Sequence, residues 1–364
     1  MILHLNTADS WRGGERQALY LADGLKKLHI PLIIVGQPDS EFQKRSESNH
    51  KFIPLKMRGE WDIRAVLSLI KILQAENIKL VHAHTARAHS LALMAKILYP
   101  NFKLIISRRV DFHIGNNFFS KKKYTSKLID LFLTVSNKIK DILIEDGVDP
   151  EKILTIHSGI DPNRFNKKKI SPILKKEFNL PPRTIVIGNI AALVDHKDQA
   201  TLIKAIALLP SNLKFRLIIV GEGELRDELQ SLVEALDIQD RIIFTGFREE
   251  IPDFLKLFHI FALTSKEEGL GTSILDAMAN NLPLVVTNGG GIPEMVEHEK
   301  GGFIAGVKDV VQISEYLKIL IQNSKLRKKF GDYNAESVKK FYIDSTIQKT
   351  VYAYSSLLGE RFWE

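Results

Sequence analysis

Two carboxylates flanking a glycine turn are the residues of this chain best placed to do chemistry. Glu268 and Asp276 lie eight positions apart in SKEEGLGTSILDAMA. Between them Gly269, Leu270 and Gly271 lead to Thr272 and Ser273, where Ile274, Leu275, Ala277 and Met278 have the spacing of a helix with one apolar face. The N–H groups at a helix start carry partial positive charge and point outward. Glycines before them let the backbone approach a ligand with no side chain in the way. A pyrophosphate could therefore sit on the N–H groups of Thr272 and Ser273. Glu268 and Asp276, the latter expected in the first turn, could accept hydrogen bonds from hydroxyl groups. Phosphates beside polyols describe a nucleotide sugar. Ser273-x-x-Asp276 is also close to a capping box, a purely structural alternative.

Other residues could serve the same chemistry. Gly13 and Gly14 stand in a loop (ADSWRGGE) between an expected strand and a helix from Arg16 to His29, with Arg12 and Arg16 adding charge or simply exposed. Lys197 precedes a second expected helix. His82 and His84 fall on one side of an expected strand (IKLVHAHT). His-x-His can be a metal-ligand pair, but no third ligand of suitable spacing lies nearby, so a buried, hydrogen-bonded His82 is expected, and no metal. Arg108 and Arg109 follow the strand Lys103–Ser107, and a planar guanidinium suits a leaving phosphate or an anionic acceptor. FFSKKKYTSK (118–127) mixes aromatics with lysines, which fits a lipid surface or a mobile loop.

These residues need rigid elements to hold them. Apolar strand-length runs alternate with amphipathic helices through both halves of the 364 residues, the pattern of parallel α/β sheets. The length suits two domains of about 150–200 residues. Asn166 to Pro182, rich in lysine and proline, reads as the linker. Cysteine is absent, which removes disulfides, thiolate zinc sites and cysteine nucleophiles. The first residues enter a strand at once, unlike a signal peptide, and no apolar run approaches the roughly 18 residues needed to span a bilayer. The net charge of +8 resides in residues 1–164, where 25 Lys and Arg face 17 Asp and Glu; the remainder balances. A one-sided basic region attracts phosphates of a lipid or an acidic glycan. No nucleic-acid-binding motif accompanies it.

The extended pattern S-x-E-E-G-L-G-T-S-x-L-D-A-M-A-x-x-x-P-x-V-x-T-x-x-G-G-x-x-E, residues 265–294, resembles the donor-site signature of family-4 retaining glycosyltransferases. Nearly the whole chain fits the resemblance, the first half more loosely. It implies the GT-B fold: two Rossmann-like domains facing a central cleft, with residues 1–165 binding acceptor, 183–341 binding the nucleotide sugar, and a helix in 342–364 returning to the first domain. It implies donor contacts by Gly13, Gly14, Lys197, Phe247, Glu268, Gly269, Leu270, Gly271, Thr272, Ser273 and Asp276. Arg248 and Glu294 are further candidates. Acceptor contacts fall to Arg16, His84, Arg108 and Arg109, and catalysis to Glu268, Lys197 and Arg109. Three positions depart from the family pattern. The second acid is Asp276 where the family has glutamate, Ala192 stands where it has a phosphate-binding arginine, and Arg109 stands where many members have histidine.

The expected activity is retaining transfer of a sugar from a nucleotide-diphosphate sugar to a hydroxyl of a glycan or lipid-linked acceptor, in lipopolysaccharide or other cell-envelope glycan synthesis. With no Asp-x-Asp, charge on the leaving diphosphate would be met by cations and helix dipoles, without metal or cofactor. The site of action would be cytoplasmic, peripheral on the inner membrane face through the basic first domain. A nucleotide-sugar epimerase of the same fold and a non-catalytic sugar-nucleotide binder are the alternatives. A nicotinamide dehydrogenase is disfavoured, since neither strand–loop–helix start carries G-x-G-x-x-G.

Overall fold

The computed structural model describes residues 1–115, 118–165 and 172–359. They form two compact units, Met1–Gly159 with the chain from Ile343 onward, and Ile160–Tyr342. Each contains one sheet. Strands β1 (Ile2–Asn6), β2 (Leu32–Gly36), β3 (Phe52–Pro54), β4 (Leu80–Ala83), β5 (Lys103–Arg108), β6 (Leu131–Thr134) and β7 (Ile153–Thr155) belong to the first unit. Strands β8 (Ile185–Ile190), β9 (Phe215–Val220), β10 (Ile242–Phe244), β11 (Ile260–Leu263), β12 (Leu284–Thr287) and β13 (Gly302–Ala305) belong to the second. The sheet orders are β3-β2-β1-β4-β5-β6-β7 and β10-β9-β8-β11-β12-β13, and every pairing is parallel. This is the fold class expected from alternating strand and helix patterns.

Burial on both faces explains why the strands read as continuous apolar runs. Leu3, Leu5, Ile33, Val35, Val81, Leu104 and Ile106 enter one core layer, while Ile2, Leu80, Ile105 and Leu133 enter the layer on the opposite face. Each buried Leu or Ile stabilises by about 1.5–3 kcal/mol relative to exposure. The second unit closes in the same way over Ile187, Leu217, Ile219, Ala262 and Val285.

The final helix, Ile343–Leu358, belongs to the first unit. Ile343, Ile347, Val351 and Tyr354 recur at helical spacing and pack with Ile2, Leu21 and Leu25. Contact with helix Gly13–Lys27 is close because Gly24 has no side chain; a Cβ there would lie 2.3 Å from Ile347 Cδ1. Among the described residues, no helix is long and apolar enough to cross a membrane.

Three local expectations need correction. The division between units falls at Gly159 and Ile160, not at residue 165. Part of the expected linker, 166–171, lies outside the described residues; the rest includes a helix, Pro172–Glu177, packed against helix Ile251–Leu257 of the second unit. Phe118–Tyr124 is a helix, anchored by its one buried residue, Tyr124, and not a loop.

Candidate active site

In the second unit, β11 ends at Leu263 and the helix Thr272–Ala279 begins after Gly271. Gly271 adopts φ 87° and ψ 65°, a left-handed conformation that is cheap for glycine. A Cβ there would meet Glu268 Cγ at 3.1 Å and Ile274 Cδ1 at 3.2 Å. The helix has no side-chain N-cap and no acidic residue in its first turn.

Glu268 sits over this opening. Its carboxylate accepts hydrogen bonds from Lys197 Nζ and, at 3.2 Å, from Ser265 Oγ. The exit of β8 delivers Lys197 through a short 3-10 turn, Asp195–Lys197. That turn is tied to the β11 exit by Lys266 N donating to His196 O at 2.8 Å and Thr264 Oγ1 to Asp198 O at 2.8 Å. Gly291 N donates to Glu268 O at 2.8 Å, so the glycine turn after β12 fixes the same loop. Two strand exits thus converge on one ion pair beside one helix start.

Asp276 departs from expectation. It lies in the second helical turn, is 4% exposed, and pairs with Arg164 at 3.3–3.4 Å. The capping-box alternative for Ser273 and Asp276 also fails, because the N-cap is Gly271 and no side chain caps it. Leu270 is buried, which leaves only its backbone to meet a ligand. Phe247 is 67% exposed at the exit of β10. Arg248 is engaged by Glu177 and Glu250. Ala192 puts its carbonyl, not a cation, beside the Lys197 turn, where Gln199 Nε2 donates to it at 2.9 Å.

The first unit gathers the remaining candidates. Gly13 and Gly14 are the first residues of helix Gly13–Lys27, which starts three residues earlier than the sequence suggests; Arg16 follows in its first turn. Glu15 accepts from Arg12 N at 3.0 Å. Arg109 lies against this start, its Cδ 3.6 Å from the place a Cβ on Gly14 would occupy. Arg109 also donates to Ser158 Oγ at 3.4 Å. Burial lowers the Arg109 pKa to about 10, against the opposing pull of Glu15. Arg108 is buried and donates to Tyr124 Oη at 2.7 Å and Phe112 O at 2.6 Å.

His82 is buried and hydrogen-bonded, as its strand position suggests: Tyr354 Oη lies 2.5 Å from Nδ1 and Ser107 Oγ 2.8 Å from Nε2. The third imidazole that the sequence did not reveal is His4, which pairs in register with His82 across β1 and β4. Ring nitrogens of His4, His82 and His84 lie within 4.8 Å of one another. Desolvation, with a smaller push from His50, lowers the His4 pKa to about 3. Burial holds His82 and His84 well below the ordinary range. The three rings are therefore neutral. Tyr354 bridges His4 and His82, giving the cluster a structural role between the sheet and the last helix. Arg164, Ser265, His4 and Tyr354 are the contributors that sequence reasoning missed. No local motif marks their spatial partners.

The candidates separate into an ion pair beside a helix start in the second unit and a basic, histidine-bearing region in the first. Residues 11–164 match the family model "Glycosyltransferase Family 4" and residues 171–337 match "Glycosyl transferases group 1". An Escherichia coli UDP-Gal:alpha-D-GlcNAc-diphosphoundecaprenol alpha-1,3-galactosyltransferase is 25% identical, over 79% of this chain and 81% of its own. The lipopolysaccharide core biosynthesis glycosyltransferase LpsE of Rhizobium meliloti is 22% identical, over 90% of both. Among solved structures, Anabaena Alr3699/HepE in complex with UDP and glucose has a TM-score of 0.85 and 20% identity, over 98% of this chain and 99% of its own.

Proposed function

The chain belongs to the group 1, family-4 glycosyltransferases, and on that premise we propose that it moves a sugar, with retention, from a nucleotide-diphosphate sugar to a hydroxyl of a glycan or lipid-linked acceptor. The proposed process is synthesis of lipopolysaccharide or another cell-envelope glycan at the inner face of the membrane, and relatives named for such steps support it. The observation that carries the reading is the Lys197–Glu268 pair beside the uncapped start of helix Thr272–Ala279.

A departing diphosphate needs positive charge held in place before reaction. Lys197 and the N–H groups of Thr272 and Ser273 supply it. When the diphosphate arrives, it competes with Glu268 for Lys197. Glu268 is then released to accept hydrogen bonds from the sugar and to orient its anomeric carbon, a positioning effect. The ribose contact expected of Asp276 passes to its neighbourhood, because Arg164 already engages that carboxylate. Arg109, Arg108, His84 and Arg16 serve the acceptor side, with no metal required.

Thermal shifts with UDP-, GDP-, ADP- and dTDP-sugars, with and without EDTA, test the donor site, because a ligand of the folded state raises the melting temperature. One nucleotide class should shift it, and EDTA should leave that shift unchanged. No shift with any class, or one abolished by EDTA, would overturn the reading of this site. Donor turnover without any acceptor would point to an epimerase instead.

A further inference from the structure

A nucleoside diphosphate brings more negative charge than one lysine can meet, and Lys197 is itself offset by Glu268. The turn that carries Lys197 offers no second cation at Ala192, whose carbonyl accepts from Gln199 Nε2. Arg164 stands in the second unit where it can supply that charge. It belongs to a 3-10 turn, Pro162–Phe165. The turn follows Ile160, which is anchored by a parallel bridge to Tyr342. The Arg164 guanidinium lies over the Phe165 ring, 5.3 Å from its centroid. Its Nη1 reaches both oxygens of Asp276, at 3.4 and 3.3 Å.

Two features aim this arginine at the donor. Asp276 follows Thr272 by one helical turn, about 5.4 Å, and helical side chains lean towards the start of their helix. The carboxylate therefore holds Arg164 towards the opening at Thr272 and Ser273. Both contacts with Asp276 use Nη1, so the N–H groups on Nε and Nη2 are not spent on that carboxylate. The Arg164 side chain is 22% exposed and that of Asp276 only 6%. A ligand can thus reach the guanidinium, while the acid is shut in behind it. Lys266, by contrast, pairs at 2.6 Å with Asp195, whose side chain is 83% exposed, on the open surface.

We propose that Arg164 is a donor-binding residue, the second cation for the diphosphate, and that Asp276 is its partner in the free protein and not a ribose ligand. The planar fork of a guanidinium suits two phosphate oxygens at once. The proposal rests on the reading of the second unit as the donor side. It makes the two acids alike: each occupies a cation, Lys197 or Arg164, that the diphosphate then takes over.

Calorimetric titration of the full chain with UDP, GDP and ADP tests it. For the diphosphate that binds best, Arg164→Gln should weaken binding about tenfold or more, the scale of a lost hydrogen bond to a charged group. Asp276→Asn frees the guanidinium and should strengthen binding a few-fold. The double variant Arg164→Gln/Asp276→Asn leaves no buried charge unpaired, yet it should stay about tenfold weak. Lys266→Ala should change nothing. Wild-type affinity in the double variant would show that Arg164 only neutralises Asp276, and would overturn the proposal. Weaker binding in Asp276→Asn would return the contact to the acid and overturn it too, as would a loss in Lys266→Ala alone. Melting temperatures identify a variant that fails to fold, and the uncharged double variant keeps the test intact if Arg164→Gln does. If no diphosphate binds the unaltered chain, the donor reading falls and this inference with it. Binding that Lys197→Ala abolishes and Arg164→Gln leaves untouched sinks this inference alone.

Discussion

Lys197 and Glu268 neutralise each other in the free protein, so substitutions there should split binding from turnover. Glu268→Gln frees Lys197 for phosphate. Nucleoside-diphosphate affinity should rise a few-fold while transfer falls about 10²–10³-fold, the scale of losing one charge-positioning group. Lys197→Ala should lower both. Steady-state transfer and UDP titration on the same samples decide it, and parallel losses in Glu268→Gln would sink the competition argument. Arg164→Ala should lower the unfolding free energy of the second unit by about 2 kcal/mol, since it removes the guanidinium paired with a buried carboxylate. Asp276→Asn in the same chain should recover part of that loss; denaturant midpoints of the four members of the cycle test the coupling. The glycine turn and the helix start beside Glu268 were legible because turn glycines and helix periodicity are local in sequence. Arg164 was not legible, because 112 positions separate it from Asp276. Its contact arises only when the chain entering the second unit folds onto helix Thr272–Ala279.

At the scale of elements, the strands were the most legible part, since two-faced burial leaves an apolar run wherever a parallel strand passes. The sequence reading missed β3 and β13, whose runs FIP and GFIA include proline or open on glycine, residues depleted in strands. The pairing of β1 with β4 makes a pH prediction. His4, His82 and His84, with His89 on the neighbouring helix, all have folded pKa values pushed down by burial. Unfolding lets them protonate near their ordinary value of about 6.5. Their contribution is therefore present above that pH and lost as pH falls below it, by about 1.4 kcal/mol per pH unit for each imidazole. Urea midpoints should fall steeply from pH 6.5 to 5, a window above ordinary carboxylate titration. A flat profile there would show that the rings protonate in place.

For the whole molecule, the basic excess of residues 1–164 should make binding to anionic vesicles depend on salt, because screening shortens the reach of surface charge from about 10 Å at 0.1 M to 3 Å at 1 M. Sedimentation with phosphatidylglycerol vesicles should fall several-fold between 0.05 and 0.5 M NaCl and be absent with neutral vesicles; salt-independent binding would refute a charge-led contact. The two-unit plan could be read from length and alternation, but the point of division could not, because a boundary is set by packing and the composition shift at 166–182 lies beyond it. The return of the last helix to the first unit has a consequence for biosynthesis. Residues 160–342 form the second unit without interruption, while the first waits for Ile343–Leu358 to cover Ile2, Leu21 and Leu25. Ribosomes emit the chain from the N-terminus at about 5–20 residues per second. The unit begun first is thus the unit finished last, and a premature stop after Tyr342 would injure the beginning of the protein while sparing its middle.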